Sequence, residues 1–119
     1  MTRLVITGEL ADLNNYIDAE RKNRFIAAKI KKKMTEICLY NVLGAKKIDK
    51  KVHITFTWYC KNQKKDPDNI SFAKKFILDG MVEAGVLKND GWKQIKGFED
   101  RFEVDNKTPR VEIELKEVS

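Results

Sequence analysis

Two cysteines, one histidine and two prolines are all that this 119-residue chain contains of those types. Each shortage closes off a class of chemistry. Cys38 and Cys60 are too few and too isolated for a disulfide framework or a thiolate zinc site. With His53 as the single imidazole, a histidine-based metal centre or a Ser-His triad lacks its raw material. No apolar run approaches the ~20 residues of a membrane span. The segment from Met1 to Gly8 lacks the pattern of a secretory signal. The expectation is a soluble cytoplasmic protein with no membrane partner.

What the chain has in plenty is charge. Lys and Arg number 24 against 18 Asp and Glu, for a net charge of +6. A basic excess suits a polyanionic partner, nucleic acid foremost, although the total alone does not identify one. The length fits one domain over residues 1–119 with a modest core.

Against this basic background stand three aspartates, two of them in Asp66-Pro67-Asp68-Asn69 and the third at Asp90. Lys61, Lys64 and Lys65 lie just upstream. Mg²⁺ prefers carboxylate and water oxygens and is commonly held by one or two protein carboxylates plus substrate phosphate. The lysines would hold the polyanion that the acids alone would repel.

The pattern along the chain is mixed. Leu4 to Gly8 predicts a short strand. From about Asp12 to Leu43 the spacing of Ile26, Ile30, Met34, Ile37 and Val42 predicts helix, with Gly44 as its stop. Lys29, Lys31, Lys32 and Lys33 fall mostly between the apolar positions, where a solvated face is the plain alternative to a DNA-binding one. Val52 to Tyr59 alternates, with Val52, Ile54, Phe56 and Trp58 on one side and His53 and Tyr59 on the other. Trp58 is assigned to the core, and His53 to the surface.

A second helix is expected from Pro67 or Asn69 to Ala84, ending at Gly85 with Val86 as the apolar contact of its cap. Two strands follow, Trp92 to Val104 and Arg110 to Val118, around a hairpin-like connector at 105–109. The order is β-α-β-α-β-β, an α+β layer of two helices packed on a mixed sheet.

Asp66 precedes proline and so favours extended backbone, in which residues 66 and 68 point the same way. They can then approach one cation. The competing assignment makes Asp66 an N-cap and Pro67 the first helical residue, with Asp68 and Asn69 favouring the helix dipole. Asp90 is harder to bring in. A helix from Asn69 to Ala84 carries the chain about 22 Å away, and residues 85–90 recover at most about 20 Å. Side-chain length closes the remainder, so convergence is feasible but tight, the alternative being a turn role for Asn89-Asp90-Gly91. Lys75 lies on a helical stripe with Asp68, Phe72 and Asp79, where it could lean back toward the acidic motif or pair with Asp79.

Asp66-Pro67-Asp68-Asn69, followed by Lys75, Asp79, Ala84-Gly85-Val86 and Asn89-Asp90, resembles the RusA family of Holliday junction resolvases, typically encoded by bacteriophages and prophages. The family pattern is Asp-x-Asp-Asn, a lysine about one turn into the helix, an Asp-Ala-Leu-like segment, Ala-Gly-Val and a third aspartate. The resemblance implies that Asp66, Asp68 and Asp90 bind Mg²⁺, with Mn²⁺ able to substitute, and that Lys75 is the catalytic lysine. The stretch from Asp68 to Lys75 is a few residues longer than in the best-studied form, so Lys74 is the neighbouring alternative. Leu13 to Ala19 and the basic segment from Arg21 to Lys33 look like a Gram-positive phage branch of the family.

On this reading the chain is a homodimeric endonuclease that resolves four-way DNA junctions by paired symmetric nicks, in the cytoplasm of a bacterial host. Two-fold dimers supply two matched sites for a two-fold substrate. Arg21, Arg24, Lys29, Lys31, Lys32, Lys33, Lys61, Lys64, Lys65 and Lys74 are the candidate DNA contacts. The alternative is a non-catalytic basic module that binds DNA or RNA, its acids serving only as caps and turns.

Overall fold

The structure is a computed structural model that describes residues 1–118. Eight elements follow the expected β-α-β-α-β-β order, except that each helical stretch is broken once. They are β1 (Thr2–Thr7), α1 (Leu13–Lys22), α2 (Arg24–Val42), β2 (Val52–Cys60), α3 (Pro67–Ser71), α4 (Lys74–Glu83), β3 (Ile95–Val104) and β4 (Arg110–Glu117).

The first break has a local cause. Asn23 adopts an extended conformation, its N–H closes α1 on the Ala19 carbonyl, and its side chain accepts from Phe25 N to start α2. Asn competes well for such caps because its short amide bonds nearby backbone. The second break falls at Phe72 and Ala73. There Ala73 N donates to the Ile70 carbonyl at 3.2 Å, a tightened turn. It stacks Phe72 edge-on to Phe76 with centroids 5.7 Å apart, and both rings meet Tyr16 of α1.

The sheet runs β1-β4-β2-β3. β2 is parallel to β3 and antiparallel to β4, which is also antiparallel to β1. The 105–109 connector therefore does not close a hairpin: β2 lies between the strands it joins. Its turn chemistry is as expected, since the Asp105 carboxylate accepts from both Lys107 N and Thr108 N. Turn chemistry reverses a chain without choosing its partner, and Asp105 N is tied to the Cys60 carbonyl at the end of β2.

One sheet face carries the core. Ile6, Ile54, Phe56, Trp58, Val111, Ile113 and Leu115 are buried there against Cys38 and Val42 of α2 and Phe76, Ile77 and Met81 of α4. The register explains this, for Ile54 sits opposite Leu115, Phe56 opposite Ile113 and Trp58 opposite Val111. The other face is polar, with ion pairs Arg3–Glu114 and Arg110–Glu112. Gly85 takes a left-handed φ of 78° after α4, a conformation that suits glycine. Val86 behind it is fully buried, completing the expected cap.

Candidate active site

Residues 61–69 leave β2 and enter α3 along the start of α1, and two latches hold them there. Lys65 Nζ lies 2.9 Å from Asp12 Oδ2. Asn69 Oδ1 accepts from Asn14 N, also at 2.9 Å. Asp12 and Asn69 are both buried. Asp12 also caps α1, its Oδ1 accepting from Asn15 N while Asn15 Oδ1 accepts from Asp12 N. Burial opposes the Asp12 charge, but the Asn15 and Asn14 N–H groups and the Lys65 ammonium outweigh it and lower the pKa.

Between the latches Asp66 and Asp68 are exposed. Asp66 stands at the N-cap position with extended backbone, yet its side chain makes no cap hydrogen bond. Asp68 Oδ1 accepts only from the adjacent Asn69 N. No Lys, Arg or His pairs with either carboxylate among the described residues. Asp66 thus stands at the cap position without using its carboxylate there, and that carboxylate stays available.

Asp90 and Lys75 form a second group. Lys75 Nζ lies 2.9 Å from Asp79 Oδ1, one turn on, and 3.7 Å from Asp90 Oδ2. Its ammonium leans toward Asp79 and Asp90, not back to the Asp66–Asp68 pair. The hydrogen bond to Asp79, with the charge of Asp90 adding to it, holds the Lys75 pKa above the usual lysine range. The chain gets Asp90 there by turning at Gly85, where Val86 and Leu87 bury and Ile48 N bonds the Val86 carbonyl. Among the described residues, no three His, Cys, Asp or Glu side chains are gathered closely enough to share one metal ion.

Asp79 and Asp90 line an open cleft of about 540 Å³, whose opposite wall is α2, with Ala28, Lys31, Lys32, Thr35 and Glu36. These five lie on one helical stripe. The basic run accordingly divides: Lys31 and Lys32 face the cleft, while Lys29 and Lys33 are exposed outside it. Lys61 pairs with Glu9 at 3.8 Å, Arg24 covers the ring of Phe25, and Arg21, Arg24 and Lys64 are exposed.

Lys74 is committed elsewhere. Its Nζ sits 2.7 Å from Asp100 Oδ2 and lies over the rings of Phe56 and Phe98. Trp58 Nε1 donates to the other Asp100 oxygen at 2.9 Å. The two adjacent lysines are therefore divided, Lys75 to the acidic cleft and Lys74 to the join of α4 with β3.

Residues 11–116 match the family described as endodeoxyribonuclease RusA. The chain belongs to the RusA endodeoxyribonuclease family. No curated protein matches it. The match runs from the latch residues at the start of α1 to the last strand, so it takes in every element that builds the site. RusA proteins are Holliday junction resolvases, and membership makes this chain a DNA-cleaving hydrolase of recombination. Among the described residues no helix is long and apolar enough to cross a membrane.

Asp12, Asn14 and Asn69 are the site residues that sequence reasoning missed as anchors. The Asp12-x-x-Asn15 spacing carried a capping signal. Nothing in the sequence marked Asp12 as buried.

Proposed function

We propose that this RusA-family protein is a Mg²⁺-dependent endonuclease that resolves four-way DNA junctions, as a homodimer making paired symmetric nicks in the cytoplasm of a phage or prophage host. The observation that carries the reading is the exposure of Asp66 and Asp68, without a cationic partner among the described residues, between the Lys65–Asp12 and Asn69–Asn14 latches. That a protein of net charge +6 keeps two carboxylates unneutralised, on a loop held in place, supports reading them as ligands for an external cation.

The donor set suits a hard cation, being all carboxylate oxygen. Asp66 and Asp68 would hold Mg²⁺ or Mn²⁺, and Asp90, set in a separate group with Lys75, would join them only where the cation drew the two groups together. The ion would supply Lewis-acid polarisation of a phosphodiester and a more acidic water. The protein's own part is positional and electrostatic. The two latches fix the loop that bears Asp66 and Asp68. Lys75, protonated through Asp79 and Asp90, offers positive charge where a phosphate gains negative charge in the transition state. Lys31 and Lys32 face Asp90 across the cleft and would take backbone phosphates, as would the exposed Arg21, Arg24, Lys61 and Lys64, while Lys29 and Lys33, outside the cleft, would add only to the general field.

Cleavage of a labelled mobile four-way junction, with duplex and flap controls, tests the reading. Nicking should require Mg²⁺ or Mn²⁺ and favour the junction. Asp68→Asn should abolish it while leaving junction binding and the melting temperature nearly unchanged, because the substitution deletes charge at little change in shape. An Asp68→Asn protein that cuts normally but melts markedly earlier would reduce the residue to a helix-start device. Binding without any metal-dependent cutting would favour the non-catalytic module.

A further inference from the structure

β3 lies at one end of the sheet, paired with β2 on one side only. Its ten residues leave a long row of unpaired backbone groups. Edge strands are usually blunted by proline, charged side chains, a bulge or a cover. The stretch from Gly97 to Val104 has neither proline nor lysine, and its charges, Glu99, Asp100, Arg101 and Glu103, are of both signs and so need not repel a second copy. Its one irregularity lies at the start, opposite Val52 and His53. Phe98, Phe102 and Val104 are instead 43%, 38% and 51% exposed.

The register shows which residues share a face. Phe98, Asp100 and Phe102 sit opposite Ile54, Phe56 and Trp58, so they belong to the helix-covered face. Glu99 and Arg101 belong to the open face. Resting on the dimeric reading above and deepening it, we propose that two copies of this chain join through their β3 edges, antiparallel about a two-fold axis at Asp100, into one continuous sheet.

The choice of centre follows from self-complementarity. A two-fold axis normal to the sheet keeps each face on its own side, so the strand pairs face to like face. Centred on Asp100, Phe98 of each copy stands opposite Phe102 of the other, and Glu99 opposite Arg101, each pairing occurring twice. Aromatic and opposite-charge pairs are favourable cross-strand neighbours. A shift of the centre to Glu99 or to Arg101 sets that residue against its own copy, like charge on like. A centre at Phe102 leaves Phe98 without a partner. The Asp100 pair on the axis is compensated, because each carboxylate already holds Lys74 at 2.7 Å and Trp58 Nε1 at 2.9 Å.

Light scattering on the eluting full-length chain tests this without recourse to cleavage. The native protein should be a dimer. Arg101→Glu and Glu99→Arg should each raise the dimer dissociation constant by roughly tenfold or more, since each sets like charges opposite one another twice. Phe102→Ser, which leaves the charges alone, should weaken it as well. Mixing the two charge-reversal variants one to one should restore a dimer, because every reversed side chain then faces its complement. Circular dichroism verifies that each variant folds. If both reversals dimerise as tightly as the native chain, the interface lies elsewhere and this proposal is overturned while the dimeric reading stands. A native chain that stays monomeric at all concentrations overturns both.

Discussion

Lys74 and Asp100 join α4 to β3 by an ion pair of 2.7 Å whose side chains are only 20% and 24% exposed. Lys75, next in sequence, is 54% exposed and reaches Asp79 and Asp90. Adjacent lysines should therefore fail in different ways. Lys74→Met should cost about 1–3 kcal/mol, because it leaves Asp100 with one donor in a poorly hydrated place. Lys75→Met should cost stability little, as surface ion pairs contribute ~0.2–1 kcal/mol, yet slow junction cleavage roughly a hundredfold or more. Urea midpoints and single-turnover cleavage rates measure the two effects. Loss of cleavage in a Lys74→Met protein of normal stability, with Lys75→Met still active, would exchange the assignments.

Gly80 marks where α4 comes closest to α2. A Cβ there would lie 2.6 Å from Cys38 Cβ and 2.8 Å from the backbone nitrogen of Leu39. In an open helix Gly→Ala is favourable by ~1 kcal/mol. Here the neighbouring backbone cannot give way as a flexible side chain would, so Gly80→Ala should be destabilising by about 1–3 kcal/mol. The melting temperature should fall by roughly 4–15 °C. An unchanged or raised melting temperature would mean that the helices pack further apart than the structure shows.

The Asp12–Lys65 latch gives a pH dependence with a definite sign. The folded pKa of Asp12 is lowered, so ionised Asp12 favours the folded state. That contribution is full above the ordinary carboxylate value of ~4 and is lost as pH falls through the lowered folded value. Asp12→Asn keeps the capping ability, since Asn is also a good N-cap, and removes only the charge. The stability gap between native and Asp12→Asn proteins should be widest near neutral pH and close toward pH ~2–3. Urea unfolding across that range measures it. A gap that widens on acidification would mean that Asp12 is stabilising in its protonated form.

The sequence exposed some of this arrangement readily and hid the rest for physical reasons. Alternation in Val52 to Trp58 was legible because a half-buried strand has to sort its residues by face. The cap at Gly85 was legible because few residues tolerate its left-handed backbone. The partner of β4 was not, since turn residues at 105–109 encode chain reversal and the choice of β1 and β2 comes from apolar registers far away in sequence. The helix break at Phe72 escaped because the apolar spacing of Ile70, Ala73, Ile77 and Met81 continues across it, and the one at Asn23 because it precedes Ile26, the first apolar position of the stripe. At the site, the aspartates were visible as types in a pattern. Of the residues that hold their loop, Asp12 showed only a capping signal and Asn69 only its place in the motif, and neither showed its burial.

The cleft geometry separates the lysines of α2, which sequence alone treated as one run. Lys31 and Lys32 face Asp79 and Asp90, whereas Lys29 and Lys33 lie outside the cleft. If the DNA backbone passes through the cleft, loss of either inward lysine removes a phosphate contact made beside the acids. Each such contact contributes about 0.9 to the slope of log affinity against log salt. Lys31→Ala and Lys32→Ala should each flatten that slope by roughly one and weaken junction binding most at low salt. Lys29→Ala and Lys33→Ala should change it much less, acting only through the general field, which is screened beyond ~10 Å at 0.1 M salt. Titrations of a four-way junction at several salt concentrations, with Ca²⁺ in place of Mg²⁺ to hold back cutting, provide the slopes. Equal effects from all four positions would mean that DNA follows the outer surface of α2, leaving the cleft outside its path.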